Sequence, residues 1–313
     1  MPREATDAST RTVVVAVVVN LVITVAKGIA ALLTGSAALW AETAHSLADT
    51  GNEVLLFVGV RRSGRSPDQR HPFGYGQERW FWALLAALGI FVVGGVLSII
   101  EGIDALRRPK PLESVWVGVG VLVVSLGLEA YSWRTAQRQL REEAQARRRS
   151  MTEHLRRASD PTAATVFLED TAAIIGLMLA LAALALHEIT GWEVWDAGAS
   201  MLIGVLLVGV AFLVARRSKG LLIDQSAPDD VLERLRDRIA SETWVHEIAA
   251  LTAVYMGPGR LLVTARLRPT PEMAAGPADA LVACAYDLRT DLCSSDVIGD
   301  AEITLVPTSS DRS

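Results

Sequence analysis

Six apolar runs, each about as long as a bilayer is thick, recur at 13–33, 37–60, 80–103, 115–133, 162–186 and 195–214. In hydrocarbon a backbone can satisfy its own polar groups only as helices or a closed barrel, and runs of this length predict an all-α bundle of six transmembrane helices. With 51% of its residues hydrophobic, the chain is excluded from the ordinary soluble globules.

Orientation follows from the cationic loops, which are retained on the cytoplasmic side. Arg61, Arg62, Arg65 and Arg70 follow the second run, an Arg-rich stretch at 134–157 follows the fourth, and Arg216, Arg217 and Lys219 follow the sixth. The opposite loops are short, with Arg107, Arg108 and Lys110 a minor exception. Both termini are therefore expected in the cytoplasm, with the protein multi-pass in a cell (inner) membrane. Arg3 and Arg11 precede the first run and no small-residue cleavage site follows it, so that span is read as retained. The net charge of -5 averages an Arg-rich half against an acidic tail and identifies no partner. The sequence carries no nucleic-acid signature.

The composition changes after Gly220, which predicts two domains, 1–220 in the membrane and 221–313 outside it. In the tail, 228–242 reads as a helix opened by Asp229 and Asp230, and 246–256 and 260–268 alternate as strands. Gly257, Pro258 and Gly259 turn between them. A helix over 278–292 and a strand over 301–306 complete a small cytoplasmic α+β domain of α-β-β-α-β order, of ferredoxin-like type, expected to have an antiparallel sheet with helices on one face. About eighty residues are marginal for independent stability, so a second copy is the economical partner. Cys284 and Cys293 lack metal-finger spacing and read as buried or idle thiols.

The second run carries Glu42, His45, Asp49, Asn52 and Glu53, groups that bulk hydrocarbon rejects. His45 and Asp49 are four apart, so on a helix they stand on one face and can close on one cation. The alternative is a helix–helix hydrogen bond, worth about a kcal/mol or less in membranes. In the fifth run, opened by an N-cap at Asp160 and Pro161, Glu169 and Asp170 lie about as far from the cytoplasmic face as Asp49 does. One imidazole with two or three carboxylates suits Zn²⁺ and its neighbours and suits Cu⁺ poorly. Glu169 and Asp170 could instead pair with Lys27, a further intramembrane charge. Glu42 and Asn52, one turn to either side of the pair, are read as orienting ligands or lining the path. Glu129 in the fourth run is open to proton relay or to interhelical pairing. Asp68 and His71, in the loop before the third run, read as a turn element or as a loop metal site.

The span-two string from Ala41 to Asn52, with His45 and Asp49 inside it, resembles the cation diffusion facilitators. So do the loop His71-Pro-Phe-Gly-Tyr-Gly76 and span one's Asn20, Lys27 and Thr34-Gly-Ser36. The span-five string around Phe167, Glu169, Asp170, Ala173 and Gly176 is similar to the branch that holds the mitochondrial-type zinc transporter of animals and its bacterial relatives. The resemblance implies a homodimeric divalent-cation exchanger, usually moving Zn²⁺ out of the cytoplasm against protons by alternating access. It implies no enzymatic activity and no resident cofactor, the metal being cargo held between spans two and five. His45 and Asp49 match the family's ligand pair, and Asp170 takes the usual span-five aspartate position, with Glu169 beside it. Most members place two ligands four apart there, whereas Val166 and Thr165 stand four before Asp170 and Glu169. Metal choice stays open to Mn²⁺, Fe²⁺ or Co²⁺, and a membrane sensor or scaffold that binds without turnover is the reading from another class. The tail mostly lacks the strand histidines that often bind regulatory metal in the family. His246, Asp287, Asp291 and the two thiols are what it offers, so it is expected to dimerise by packing and to bind metal weakly or not at all.

Overall fold

The computed structural model of the protein describes residues 20–109, 111–146, 150–151, 162–295 and 297–307. The expected N-cap at Asp160 and Pro161, the start of the first run and the Arg147 to Arg149 run lie outside them. The described part falls into two compact units, one reaching Arg62 and resuming over Glu78–Lys219, the other formed by Ser63–Gln77 and the residues from Gly220.

The first unit holds helices α1 (Asn20–Thr34), α2 (Ala37–Ser63), α3 (Glu78–Arg107), α4 (Val115–Ala146), α5 (Thr162–Thr190) and α6 (Val194–Leu222). Among the described residues, four helices, in α3 to α6, are long and apolar enough to cross a membrane. The α1 residues are apolar over a shorter length, and α2 carries the polar stripe, so its apolarity is diluted where its chemistry is concentrated. Small residues such as Ala38, Ala41, Ala173, Ala180 and Ala211 fill the core beside Leu39, Leu122, Leu177 and Ile203, which lets the helices approach closely. Large apolar side chains such as Leu32, Val124, Met178, Leu202 and Phe212 point outward. The middle of α3, Ile90–Val96, winds as a π-helix. Ser98 Oγ donates to Gly94 O within that stretch, and Ser200 Oγ of α6 donates to Ser98 O at 2.8 Å. Such side-chain bonds take up carbonyls that a π-stretch leaves poorly served.

In the second unit α7 (Asp229–Ala240) precedes strands β1 (Val245–Gly257) and β2 (Arg260–Pro269). A single helical turn, α8 (Pro271–Ala274), with Thr270 as its N-cap, leads to α9 (Ala278–Cys293) and β3 (Ile298–Leu305). The sheet order is β1-β2-β3. The β1–β2 hairpin is antiparallel, but β3 lies parallel to β2, which corrects the expected antiparallel sheet. The reason is the crossover: α8 and α9 carry the chain back along the sheet, and a strand that follows such a connection runs in the direction of its neighbour. Alternation selects the covered face, where Leu261, Val263, Ala265 and Leu267 are buried and register with Tyr255, Ala253, Leu251 and Ala301. Leu235 and Ile239 of α7 and Leu288 and Leu292 of α9 supply the buried residues of the helices.

Candidate metal centre

On α2 the four-residue spacing of His45 and Asp49 brings Nε2 and Oδ2 to 3.4 Å. His45 is 1% and Asp49 20% exposed, and among the described residues neither ring nitrogen of His45 nor Oδ1 of Asp49 makes a hydrogen bond. Buried polar atoms are normally paired, so an imidazole and a carboxylate left side by side with unused lone pairs form half of a cation site.

The α5 carboxylates diverge, as adjacent positions about 100° apart on a helix must. Glu169 turns to α2, where Asn52 Nδ2 donates to Oε1 at 2.6 Å and Oε2 at 2.5 Å. Asp170 turns to α4, where Ser132 Oγ donates to Oδ2 at 2.8 Å. Trp133 reinforces this seam, donating to Thr171 Oγ1 at 2.9 Å and stacking on Phe167. Both carboxylates lie within electrostatic reach of Asp49, and Asp170 also of His45. Among the described residues, no three His, Cys, Asp or Glu side chains stand close enough to hold a metal ion together. The α5 carboxylates are engaged by neutral partners instead of by the α2 pair. Glu129, half-buried on α4, is in electrostatic reach of Asp49, Asp170 and His45.

Lys27 is fully buried, and its Nζ donates to Glu42 Oε2 at 3.0 Å and Ser46 Oγ at 2.7 Å. This corrects the pairing of Lys27 with Glu169 or Asp170. Glu42 and Ser46 stand one turn apart on the α2 face that α1 meets, while the α5 acids have partners elsewhere. Glu42 Oε1 makes no hydrogen bond among the described residues, and it lies against Gly176 of α5 so closely that a Cβ there would overlap it. Asn20 Nδ2 donates to Glu53 Oε1 at 2.7 Å, a second polar tie between α1 and α2.

Asp68 and His71 lie in the second unit. Asp68 Oδ1 accepts from the backbone N–H of Arg70 and His71 and its Oδ2 accepts from Tyr75 Oη at 2.7 Å, so both oxygens are in use. The Tyr75 hydroxyl first, then the His71 N–H, hold the Asp68 carboxyl below the ordinary range, and Asp68 in turn raises the Tyr75 phenol. The His71 ring packs on Tyr75 at 4.2 Å, as a turn element would. In the tail, Asp291 is engaged by Arg238 Nη2 at 2.8 Å, and Cys284 and Cys293 are free and half-buried. Sequence reasoning missed Ser46 and Ser132, which stand four residues before Thr50 and three after Glu129 and carry no signal beyond being hydroxyls on a polar face.

A family model described as the cation efflux transmembrane domain matches residues 13–223. The chain belongs to the cation efflux family. Membership makes it a membrane protein, in line with its four long apolar helices. Its relatives include the mitochondrial proton-coupled zinc antiporter SLC30A9 of Xenopus laevis, 34% identical over 252 residues, 80% of this chain and 45% of the relative. Metal tolerance protein C4 of Arabidopsis thaliana is 30% identical over 226 residues, 72% of this chain and 50% of the relative. The cation-efflux pump FieF of Escherichia fergusonii is 26% identical over 235 residues, 73% of this chain and 71% of the relative. The chain thus spans about half the length of the zinc antiporter and the tolerance protein.

Proposed function

We propose that this member of the cation efflux family is a divalent-cation/proton antiporter that exports metal, Zn²⁺ first, from the cytoplasm by alternating access. The observation that carries the reading is the His45–Asp49 pair, its imidazole buried and, among the described residues, both ring nitrogens and Asp49 Oδ1 without a hydrogen bond. The zinc and proton named in the SLC30A9 relative and the cation efflux named in FieF support it. The cargo ligands are His45, Asp49 and Asp170, joined by Glu169. Loading requires Asp170 to exchange Ser132, and Glu169 to exchange Asn52, for the metal. Coupling then follows from ligand chemistry, because a metal binds neutral imidazole and ionised carboxylate while acid returns protons to the same atoms. Metal and proton exclude each other from the site.

The reading further places six spans in the membrane with both termini cytoplasmic and lipid against the outward apolar faces. The domain over 1–220 transports, and that over 221–313 holds two copies together. The Asp68–His71 pair serves as a turn. The test is metal uptake into inside-out or reconstituted vesicles under a pH gradient, with Zn²⁺, Mn²⁺, Co²⁺ and Fe²⁺ compared for the wild type, His45→Ala and Asp49→Ala. Gradient-driven Zn²⁺ flux lost in both variants supports the antiporter. Saturable binding with no flux of any metal replaces it with a membrane sensor, and flux of another metal alone replaces the cargo.

A further inference from the structure

Among the described residues, Lys27 is the one Lys or Arg side chain buried from solvent, and it sits among acids. Its ammonium contacts Glu42 and Ser46, the α2 positions that flank His45. Lys27 is in electrostatic reach of both His45 and Asp49, and a positive charge there opposes the arrival of a second cation, so its placement bears directly on binding. Glu42 is divided. Oε2 holds the ammonium at 3.0 Å, while Oε1, fully buried and without a donor, lies between α2 and α5 against Gly176. A buried carboxylate oxygen left with nothing to accept from is costly, and the costs are tolerated where an oxygen must stay available.

Geometry also sets an order along the helix. Glu42 is three residues from His45, one turn and about 4.5 Å of rise toward the α2 N-terminus. Along α2 in that direction Glu42 is the next acidic residue, and its Oε1, against Gly176, is the oxygen that Lys27 does not hold.

We propose that Lys27 is a tethered cation that competes with the transported divalent ion for the Glu42 carboxylate. In the metal-free protein the ammonium occupies Glu42, so the site does not present a further uncompensated carboxylate. A divalent ion reaching Oε1 carries twice the charge and loosens the ammonium from Oε2. The ammonium then reclaims the carboxylate, which returns the ion to solution instead of trapping it. The inference rests on the antiporter reading and adds a step to it. A purely structural role for the pair, stapling α1 to α2, would lower stability without touching metal affinity.

The experiment uses the full chain in proteoliposomes and Zn²⁺ alone as probe, with Kd from competition against a fluorescent chelator, KM and Vmax from flux, and Tm from Trp fluorescence. Lys27→Met frees Glu42 for the metal. Expected are a Kd and KM at least about tenfold lower, about 1.4 kcal/mol, together with a lower Vmax because release becomes slow. Glu42→Gln leaves an unbalanced ammonium and weakens Zn²⁺ by a similar factor, and the double variant returns to within about threefold of the wild type. A Lys27→Met protein with wild-type Kd and KM and a lowered Tm overturns the proposal in favour of a staple. If Lys27→Met fails to assemble, the comparison of Glu42→Gln with the double variant decides: tighter binding in the double supports the competition, equal binding overturns it. A wild type that neither binds nor moves Zn²⁺ removes the antiporter reading and this inference together, whereas normal wild-type flux with an inert Lys27→Met removes this inference alone.

Discussion

Asp196, the third residue of α6, accepts from Ser36 Oγ at 2.5 Å and from the backbone N–H of Ala37 at 2.5 Å, so it caps a helix that it does not belong to. Ser36 Oγ meanwhile accepts from Leu39 N at 3.1 Å, and Ala38 N reaches Asp196 Oδ1 at 3.3 Å. The first turn of α2 thus spends its orphan N–H groups on one carboxylate and one hydroxyl, and the negative charge sits at the positive end of the helix. The helix that carries His45 and Asp49 is thereby fixed at its N-terminus by α6.

Replacing Asp196 by Ala leaves buried N–H groups unpaired and is expected to cost about 2–3 kcal/mol of stability. Asp196→Asn, which keeps one acceptor oxygen, is expected to cost about half of that. Reversible unfolding in mixed micelles measures both, and an Ala variant within about 0.5 kcal/mol of the wild type would show that water replaces the cap.

Gly176→Ala should act through Glu42. The added methyl claims the space of Oε1, and Glu42 is pinned by Lys27 on its other side, so the side chain cannot simply swing aside. Overpacking of this kind costs about 1–3 kcal/mol. Shortening the acid by one methylene makes room, so Gly176→Ala with Glu42→Asp is expected to be more stable than Gly176→Ala alone. A double variant no better than the single places the clash elsewhere, for instance at Ile203, whose Cγ1 lies 3.7 Å from the same point.

Much of this molecule was legible because its strongest signals are periodic. The apolar runs at 80–103 and 195–214 became the helices Glu78–Arg107 and Val194–Leu222, and the alternation at 260–268 became β2. The α2 pair was legible for the same reason, since four residues on a helix fix a distance. Partners on other helices were not. Nothing in the spacing of Lys27 selects Glu42 over Asp170, because that choice depends on helix rotation, and Ser132 looks in sequence like any hydroxyl in an apolar span. The π-stretch at Ile90–Val96 has no local signature, and the direction of β3 was misread because strand order in sequence does not state which way the crossover returns.

The loop of the second unit makes a pH prediction with a definite sign. Asp68 is held below the ordinary carboxylate range, first by the Tyr75 hydroxyl and next by the His71 N–H. A group with a depressed folded pKa stabilises above its unfolded pKa, about 3.9, and loses that contribution as pH falls through the lower folded value. Amide exchange over 65–76, corrected for intrinsic rates, should therefore stay flat from pH 7 down to about pH 4.5 and rise only below it. Tyr75→Phe removes the leading hydrogen bond and should make the rise smaller, because the folded value moves back toward the unfolded one while the onset stays where the unfolded carboxyl titrates. Gly76 supports the same loop, since a Cβ there would stand 2.7 Å from Gly257 Cα at the β-hairpin. A rise of wild-type size in Tyr75→Phe would mean that the hydroxyl does not hold Asp68.

Asn52 and Glu169 should behave as one unit in transport. Both oxygens of Glu169 accept from one amide, so the carboxylate is parked on α2, in electrostatic reach of Asp49 but turned to Asn52. If Glu169 takes the cargo by exchanging that amide for the metal, Asn52 sets its starting position and Glu169 supplies the oxygen. Asn52→Ala leaves a buried carboxylate without its donor, and Glu169→Gln removes the charge that the metal needs. Each is expected to slow Zn²⁺ flux by about tenfold, and the double variant to slow it little further, because residues that act through one contact are not additive. Flux losses that multiply in the double variant would separate the two residues, leaving Asn52 as a bystander to a ligand that finds its place unaided.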